Sequence, residues 1–480
     1  MPSASGQPGT EPGAEPSAKP GASGAASGAA PLRDPNRGLW LIVAAALALG
    51  LLYNVVMLPG FGPDEPRHLR YVQLLWEEHR LPFVLPDGSE YRGAHTLHPP
   101  LPYVAMLPLY AIARFFLEPV QYHLLRFFSL ACSLAALPLI YQTALLAARR
   151  PAQEGSREGS REDGWNREDG WSRSVALTAT ALCALMPIFG MASGVVNNDA
   201  SSILAVALFC WLLCVRFGDE LSPRRALMLG ACFGLGMLCK ATVALCDGAA
   251  LFAFLLARHG WRSGLTWRGL TIVLGVAVAT AAPWYGRNFA LYGKFSPIEA
   301  GYTNPALPAP SNGALVMMMH PNFPGLFARA NWGIFYSMWS QKDWFPLAVR
   351  TPIYLAFAAA FVLAAVAPLL SRARLSKAEA SPEGPGLGLA RATRAALYAS
   401  LAALWLACAG VALFVHWGWA EGGRYLLAAL PAMALFLSVR LHLLLPPRVL
   451  QVLAWAWGLS LNAIAIYWLL AYLNPTFGPH

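Results

Sequence analysis

Charge is what this chain has least of. Of its 480 residues only 12% are Asp, Glu, Lys or Arg, while 56% are hydrophobic; soluble domains carry about 25% charged residues. A freely soluble globular protein is thereby excluded. The alternating apolar and polar runs of an outer-membrane barrel are also missing. The apolar residues come instead in blocks of about 15–25, the length at which a helix crosses hydrocarbon. Cysteine supplies no framework. Cys132, Cys183, Cys210, Cys214, Cys232, Cys239, Cys246 and Cys408 all sit inside apolar stretches, so no disulfide scaffold is expected. The regular spacing of Cys232, Cys239 and Cys246 reads as small residues packed between helices. An ordinary secretory signal is absent too: the first apolar run starts at residue 39, with no clear small-x-small cleavage pattern, and reads as a retained anchor. What remains is an all-α polytopic membrane protein.

The net charge of +10 has a simple cause in Lys and Arg gathered in cytoplasmic loops, so no nucleic-acid partner is needed to explain it. Residues 1–38, rich in Gly, Pro, Ala and Ser, read as a disordered cytoplasmic tail. A transmembrane domain follows over 39–472. Its expected spans are 39–58, 121–147, 174–195, 199–217, 225–239, 242–257, 269–284, 346–370, 393–415, 424–443 and 449–472, about eleven in all. The arginine-rich, low-complexity insert 148–173, with "REGSREDGWNREDGWSR", is placed in the cytoplasm. The stretch "HPPLPYVAMLPLYAIARFF", 98–116, is left out of the count, because its prolines and Arg114 weaken it as a span. It is expected to lie in the outer interface, inside a long external loop 59–120. A second external segment is 285–345, and an external tail is 473–480. The expected location is a plasma or inner membrane, N-terminus inside and C-terminus outside.

This orientation comes from the arginines alone, yet it gathers the other polar residues at one membrane face. Asp64, Glu65, His68 and His98 lie there, with Asn197, Asn198 and Asp199 of "GVVNNDA". So do Lys240, Arg287 and Asn288 of "PWYGRN", and Glu421, Arg424 and Tyr425 of "EGGRY". Ionisable groups beside hydrocarbon are costly and mark function by default. Carboxylates and cations at several helix ends suit an anionic, lipid-borne substrate. A transport path would place its polar residues nearer mid-membrane, where Asp247 alone stands out; a lipid-linked sugar flippase is the alternative function. Each residue also has a plainer role. Asp64 and Glu65 suit the start of the helix that follows them, Asp199 suits an N-cap, Lys240 can snorkel, and Trp417 and Trp419 suit an interfacial belt.

Taken in order, "PDEPRHLRYVQLLWEEHRLP", "HPPLPYVAMLPLY", "GVVNNDA", "GLGMLCKATVAL", "PWYGRNFALYGKFSP" and "GRYLLAALPAMAL" resemble the GT-C glycosyltransferases. The likeness is to the protein-mannosyltransferase and aminoarabinose-transferase-like group and runs from about residue 40 to 440. It implies transfer of a sugar from a polyprenyl-phosphate or polyprenyl-diphosphate carrier to an acceptor, which is a glycan, lipid or protein, on the outer face. Asp64 would be the general base, with Glu65 beside it. The remaining polar residues, His68, His98, Asp199, Lys240, Arg287, Asn288, Arg424 and Tyr425, would bind substrate. At the His98 position the aminoarabinose branch has Lys and the mannosyltransferase branch has His. No clear Asp-x-Asp metal pair is present. Asp64, Glu65 and Asp199 are candidates to share a divalent cation (Mg or Mn), but no metal ligand is assigned.

Overall fold

The computed structural model describes residues 36–85, 91–95, 98–149, 161–218, 221–293, 295, 318–319, 321–339, 351–371, 385–414 and 423–473. In chain order the helices are α1 (Arg37–Val56), α2 (Glu65–Glu78), α3 (Leu101–Ala113), α4 (Glu118–Ala147) and α5 (Arg161–Ala184). Then come α6 (Pro187–Ser193), α7 (Asp199–Trp211), α8 (Pro223–Cys239), α9 (Val243–His259) and α10 (Gly264–Tyr292). The last five are α11 (Phe323–Trp339), α12 (Thr351–Leu370), α13 (Pro385–Phe414), α14 (Leu430–Leu441) and α15 (Pro447–Leu473). No strand occurs among the described residues.

Among the described residues, eight helical segments are long and apolar enough to cross a membrane, or nine if a bent pair counts as one span. The eight are α1, α4, α7 with the π-turn that continues it to Arg216, α10, α12, α13, α14 with the 3-10 turn Gly423–Ala429 before it, and α15. The pair is α5 and α6, which meet at 63°. The expected eleven differs from this by α8 and α9. Each has 17 residues, about 25 Å of helix, short of the ~30 Å of hydrocarbon. They are stabilised by neighbours instead: α8 packs along α10, and α9 along α13.

The segment 59–120, expected to be external, carries two helices, α2 and α3. With 13 residues, α3 is about 20 Å long, too short for a span. It packs against α2 in a core of its own, built from Leu69, Tyr71, Leu74, Tyr103, Met106 and Tyr110. Val104, Ile112, Phe115, Phe116 and Leu117 stay exposed along its other side and just beyond it, as suits a helix lying in the interface.

Three boundaries differ from expectation. Helix α5 starts at Arg161 rather than 174, so the charged repeat continues as helix. Helix α10 runs on to Tyr292 through Pro283; proline is tolerated in membrane helices where neighbours satisfy the freed backbone groups. Arg287 and Asn288 therefore lie on its last turns and not in a loop. Within the segment 285–345, α11 forms a helix that packs on α13 and on the Gly423–Ala429 turn. Gly423 is required there: a Cβ would come within 2.2 Å of the Met338 backbone nitrogen. Trp417, Trp419 and Glu421 fall outside the described residues.

Candidate active site

The site begins where α1 ends. Glu65 and Arg126 are both fully buried. Arg126 Nε donates to Glu65 Oε1 at 2.8 Å and Nη2 to Oε2 at 2.8 Å. The other Arg126 donors reach the carbonyls of Asn54, Met57 and Leu58 at 2.8, 2.8 and 3.0 Å, the orphan acceptors of a helix C-terminus. Glu65 also accepts from the backbone N–H of Gly60, Gly62 and Val196. Gly60 stands at φ +77°, open to glycine at no steric cost. This closed network ties α1, α2, α4 and the α6–α7 turn together. It turns Glu65 away from the opening, so the structure gives it a supporting geometry rather than a reacting one.

Asp64, one residue earlier, is held differently. Its backbone lies in the left-handed region at φ 56°, uncommon for any residue but glycine, with Asp among the better tolerated. Its side chain makes no capping bond to α2. The carboxylate accepts from Arg424 Nη2 at 2.8 Å and lies 3.7 Å from His95 Nε2. Burial alone would raise its pKa; the nearby His95 imidazole and the Arg424 guanidinium hold it well below the usual carboxylate range.

A second acid and cation stand beside this pair. Asp199 opens α7 and pairs with Lys240 at the end of α8. The N-terminal N–H of Ala200 is bound by Asn197 Oδ1 at 2.9 Å, so the Asp199 carboxylate is not spent on capping. Lys240 Nζ lies 5.2 Å and Arg424 Cζ 5.5 Å from the centre of the Tyr425 ring, within cation–π range. The two cations thus both approach the Tyr425 ring, each paired with its own carboxylate.

Histidines line the remaining side. Tyr103 Oη bonds His68 Nδ1 at 2.8 Å and His98 Nδ1 at 3.1 Å. Asn198 Nδ2 lies 3.3 Å from His98 Nδ1. Burial, helped by the neighbouring His95, keeps His68 and His98 well below the usual histidine range, so both are neutral. Arg287 stands behind this wall. Its Nη2 donates to the carbonyls of Leu81 and Pro82 at 3.3 and 2.9 Å, and its Nη1 to Asn288 Oδ1 at 3.4 Å. It clips the end of the first external loop.

Of the sequence-predicted site residues, Asp64, His68, His98, Asp199, Lys240, Arg424 and Tyr425 share one cluster. Glu65 supports it from beneath, and Arg287 with Asn288 holds its rim. The set Asp64, Glu65 and Asp199 is not drawn together around a cation, since each acid faces its own Arg or Lys. Sequence reasoning passed over His95, Tyr103 and Arg126. Arg126 carried a signal, a lone cation inside an apolar span. His95 carried a weaker one, three residues before His98.

A family model described as dolichyl-phosphate-mannose-protein mannosyltransferase matches residues 170–286, which takes in Asp199 and Lys240. No curated protein sequence matches the chain. Among solved structures it is similar to ArnT from Cupriavidus metallidurans bound to undecaprenyl phosphate, at 15% identity and TM-score 0.38, covering 85% of this chain and 77% of that one. It is also similar to the Archaeoglobus fulgidus oligosaccharyltransferase in complex with Zn and sulfate, at 14% identity and TM-score 0.47, covering 90% of this chain but 53% of that one. Residues 170–286 thus carry the signature of the dolichyl-phosphate-mannose-protein mannosyltransferases, the same branch of the GT-C glycosyltransferases that the motifs of the longer stretch resemble.

Proposed function

We propose that the protein is an integral-membrane glycosyltransferase. It moves a sugar from a polyprenyl-phosphate or polyprenyl-diphosphate carrier to an acceptor hydroxyl on the extracytoplasmic face. Asp64 is the general base and the anomeric centre is inverted. The observation that carries this is the contact between Asp64 and Arg424 at 2.8 Å, beside the second pair, Asp199 and Lys240. A proton acceptor stands directly against the cations that a leaving phosphate needs.

The chemistry follows from that contact. The acceptor oxygen attacks the anomeric carbon, and its proton passes to Asp64. The bond from that carbon to the phosphate oxygen breaks, and the phosphate takes the electron pair. Arg424 and Lys240 then bind the developing negative charge through charge-assisted hydrogen bonds. Before the donor arrives, Arg424 is engaged with Asp64 and depresses its basicity. A phosphate that draws Arg424 away leaves the carboxylate with burial as its main influence, which makes it a stronger base. Donor binding therefore activates the base. His68, His98 and Asn198 line the sugar side. Glu65 holds the backbone under Asp64 through Arg126. Arg287 and Asn288 fix the rim, where the acceptor enters.

Two measurements test this reading. Mass spectrometry of lipid that copurifies with the protein is expected to find a polyprenyl phosphate. In proteoliposomes, a panel of polyprenyl-phosphate-linked sugars is expected to include one from which label passes to an acceptor hydroxyl with inverted anomeric configuration. Movement of the intact lipid-linked sugar between leaflets, with no glycosidic bond made, would establish the flippase instead.

A further inference from the structure

We propose that His68, His95 and His98 bind one transition-metal ion of the zinc class, at a site beside the acid–cation pairs. One ring nitrogen from each of the three residues lies within 4.8 Å of those of the other two. The ring centres are 4.8 Å apart for His68 and His95, 4.1 Å for His95 and His98, and 5.5 Å for His68 and His98. Among the described residues no other group of His, Cys, Asp and Glu is close enough to share an ion.

Three imidazoles in mutual contact also form in ordinary polar packing, so the hydrogen bonds decide. Those of His68 and His98 all fall on Nδ1, from Tyr103 and Asn198. Among the described residues the Nε2 of neither ring has a protein partner. This is the arrangement of a ligating histidine, one nitrogen fixed by an outer hydrogen bond and the other left for the metal. A phenol oxygen has two lone pairs, so Tyr103 is able to accept from Nδ1–H of both rings, leaving each Nε2 unprotonated; the Asn198 amide then turns its oxygen, not its nitrogen, toward His98 Nδ1. His68 sits on the first turns of α2, and His95 and His98 on the chain leading into α3, whose core residues fix both sides.

The charges around the cluster are balanced. Arg424 and Lys240 face it, but they bring Asp64 and Asp199 with them. The Asp64 Oδ2 to His95 Nε2 distance of 3.7 Å is close to the roughly 3.3 Å between two ligands of a tetrahedral ion with bonds of about 2.0–2.1 Å. Imidazole nitrogens select zinc, copper, nickel or iron over magnesium and calcium, which prefer oxygen. Three histidines with a fourth position open is the pattern of a catalytic rather than a closed structural site. On the glycosyl-transfer reading, on which this one consequence rests, a hydroxyl bound at the fourth position stands beside Asp64. The binding claim itself does not depend on that reading.

The test is elemental analysis of full-length protein in detergent, purified through a tag free of histidine. The protein is stripped with chelator, equilibrated with micromolar Zn2+ and freed of excess metal. Wild type is expected to retain about one zinc per chain. The variant His95→Ala/His98→Ala, monodisperse by size exclusion, is expected to retain almost none. Tyr103→Phe, which keeps all three imidazoles, is expected to bind about 10–100-fold more weakly. Co2+ loaded into wild type is expected to show visible bands of nitrogen ligation that Zn2+ displaces. A wild-type protein that binds neither ion overturns the proposal, and so does zinc retained in full by the folded double variant. Where the double variant does not fold, the wild-type cobalt spectrum decides alone: its absence overturns the site. None of these readouts uses glycosyl transfer, so the metal site and the function fail separately.

Discussion

Arg126 spends every one of its five N–H donors inside the protein, two on Glu65 and three on the carbonyls that end α1. Both partners are fully buried, so neither has water to fall back on when the other is removed. Breaking such a pair costs about 3–5 kcal/mol, mostly from the charge left behind. Arg126→Met and Glu65→Gln are each expected to lower thermal stability in detergent by a large margin. The combination Arg126→Met/Glu65→Leu should cost clearly less than the sum of the two single changes. Additive losses would mean that the two side chains are stabilised separately.

Arg424 sets the basicity of Asp64, and the sign of the pH effect follows. Burial raises the carboxyl, and the neighbouring His95 and Arg424 together more than offset it. A folded-state pKa below the unfolded one contributes stability that is present above the unfolded value and lost as pH falls through the folded value. The pair is therefore intact at neutral pH and weakens only in acid. In Arg424→Gln the Arg424 share of the offset is gone, His95 remains, and the carboxyl rises. The acid limb of the kcat/KM profile is expected to move to higher pH, on top of a loss in rate. An acid limb that stays in place would detach Asp64 from Arg424.

Lys240 and Arg424 are expected to bind the carrier phosphate directly. A hydrogen bond to a charged group contributes about 1.5–3 kcal/mol, so Lys240→Met should weaken binding of a polyprenyl phosphate about tenfold or more. From the sequence, Arg287 is expected to bind substrate alongside Lys240 and Arg424. Its guanidinium is occupied by the carbonyls of Leu81 and Pro82, so Arg287→Ala should weaken binding less than Lys240→Met and loosen the loop more. Limited proteolysis near Pro82, run beside the lipid-binding assay, separates the two effects.

The orientation is tested from outside the cell. Glu77 is exposed on α2, and Arg262 is exposed between α9 and α10. The native cysteines among the described residues are buried or half-buried. A cysteine at Glu77 is expected to react with an impermeant thiol reagent in intact cells, and one at Arg262 only after lysis. The reverse pattern would invert the topology and place Asp64 on the cytoplasmic face.

Much of the fold was legible because hydrocarbon enforces a simple rule. A span needs enough consecutive apolar residues, and α1, α4, α12 and α15 announce themselves that way. At α8 and α9 the chain is apolar but only 17 residues long, and packing against α10 and α13 stabilises them. The charged repeat at Arg161 reads as a loop by composition, yet it continues as helix. At the site, Asp64, Asp199, Lys240 and Arg424 were legible as charges at helix ends. Which acid meets which cation was not, since Asp64 and Arg424 are separated by most of the chain. The buried position of Glu65 was equally invisible, because its partner Arg126 lies inside an apolar helix and looks like an accident of sequence.

On the proposed mechanism Asp64 takes the proton from the acceptor. Asp64→Asn keeps the size of the side chain and removes its basicity. Transfer from a native carrier-linked sugar in proteoliposomes, at matched protein levels, is the measurement. Asp64→Asn is expected to lower turnover by about 10² or more, the scale of general-base catalysis, while carrier binding survives because no cation is lost. Glu65→Gln, compared at equal amounts of folded protein, is expected to cost less. An Asp64→Asn enzyme that turns over at close to the wild-type rate would contradict the account.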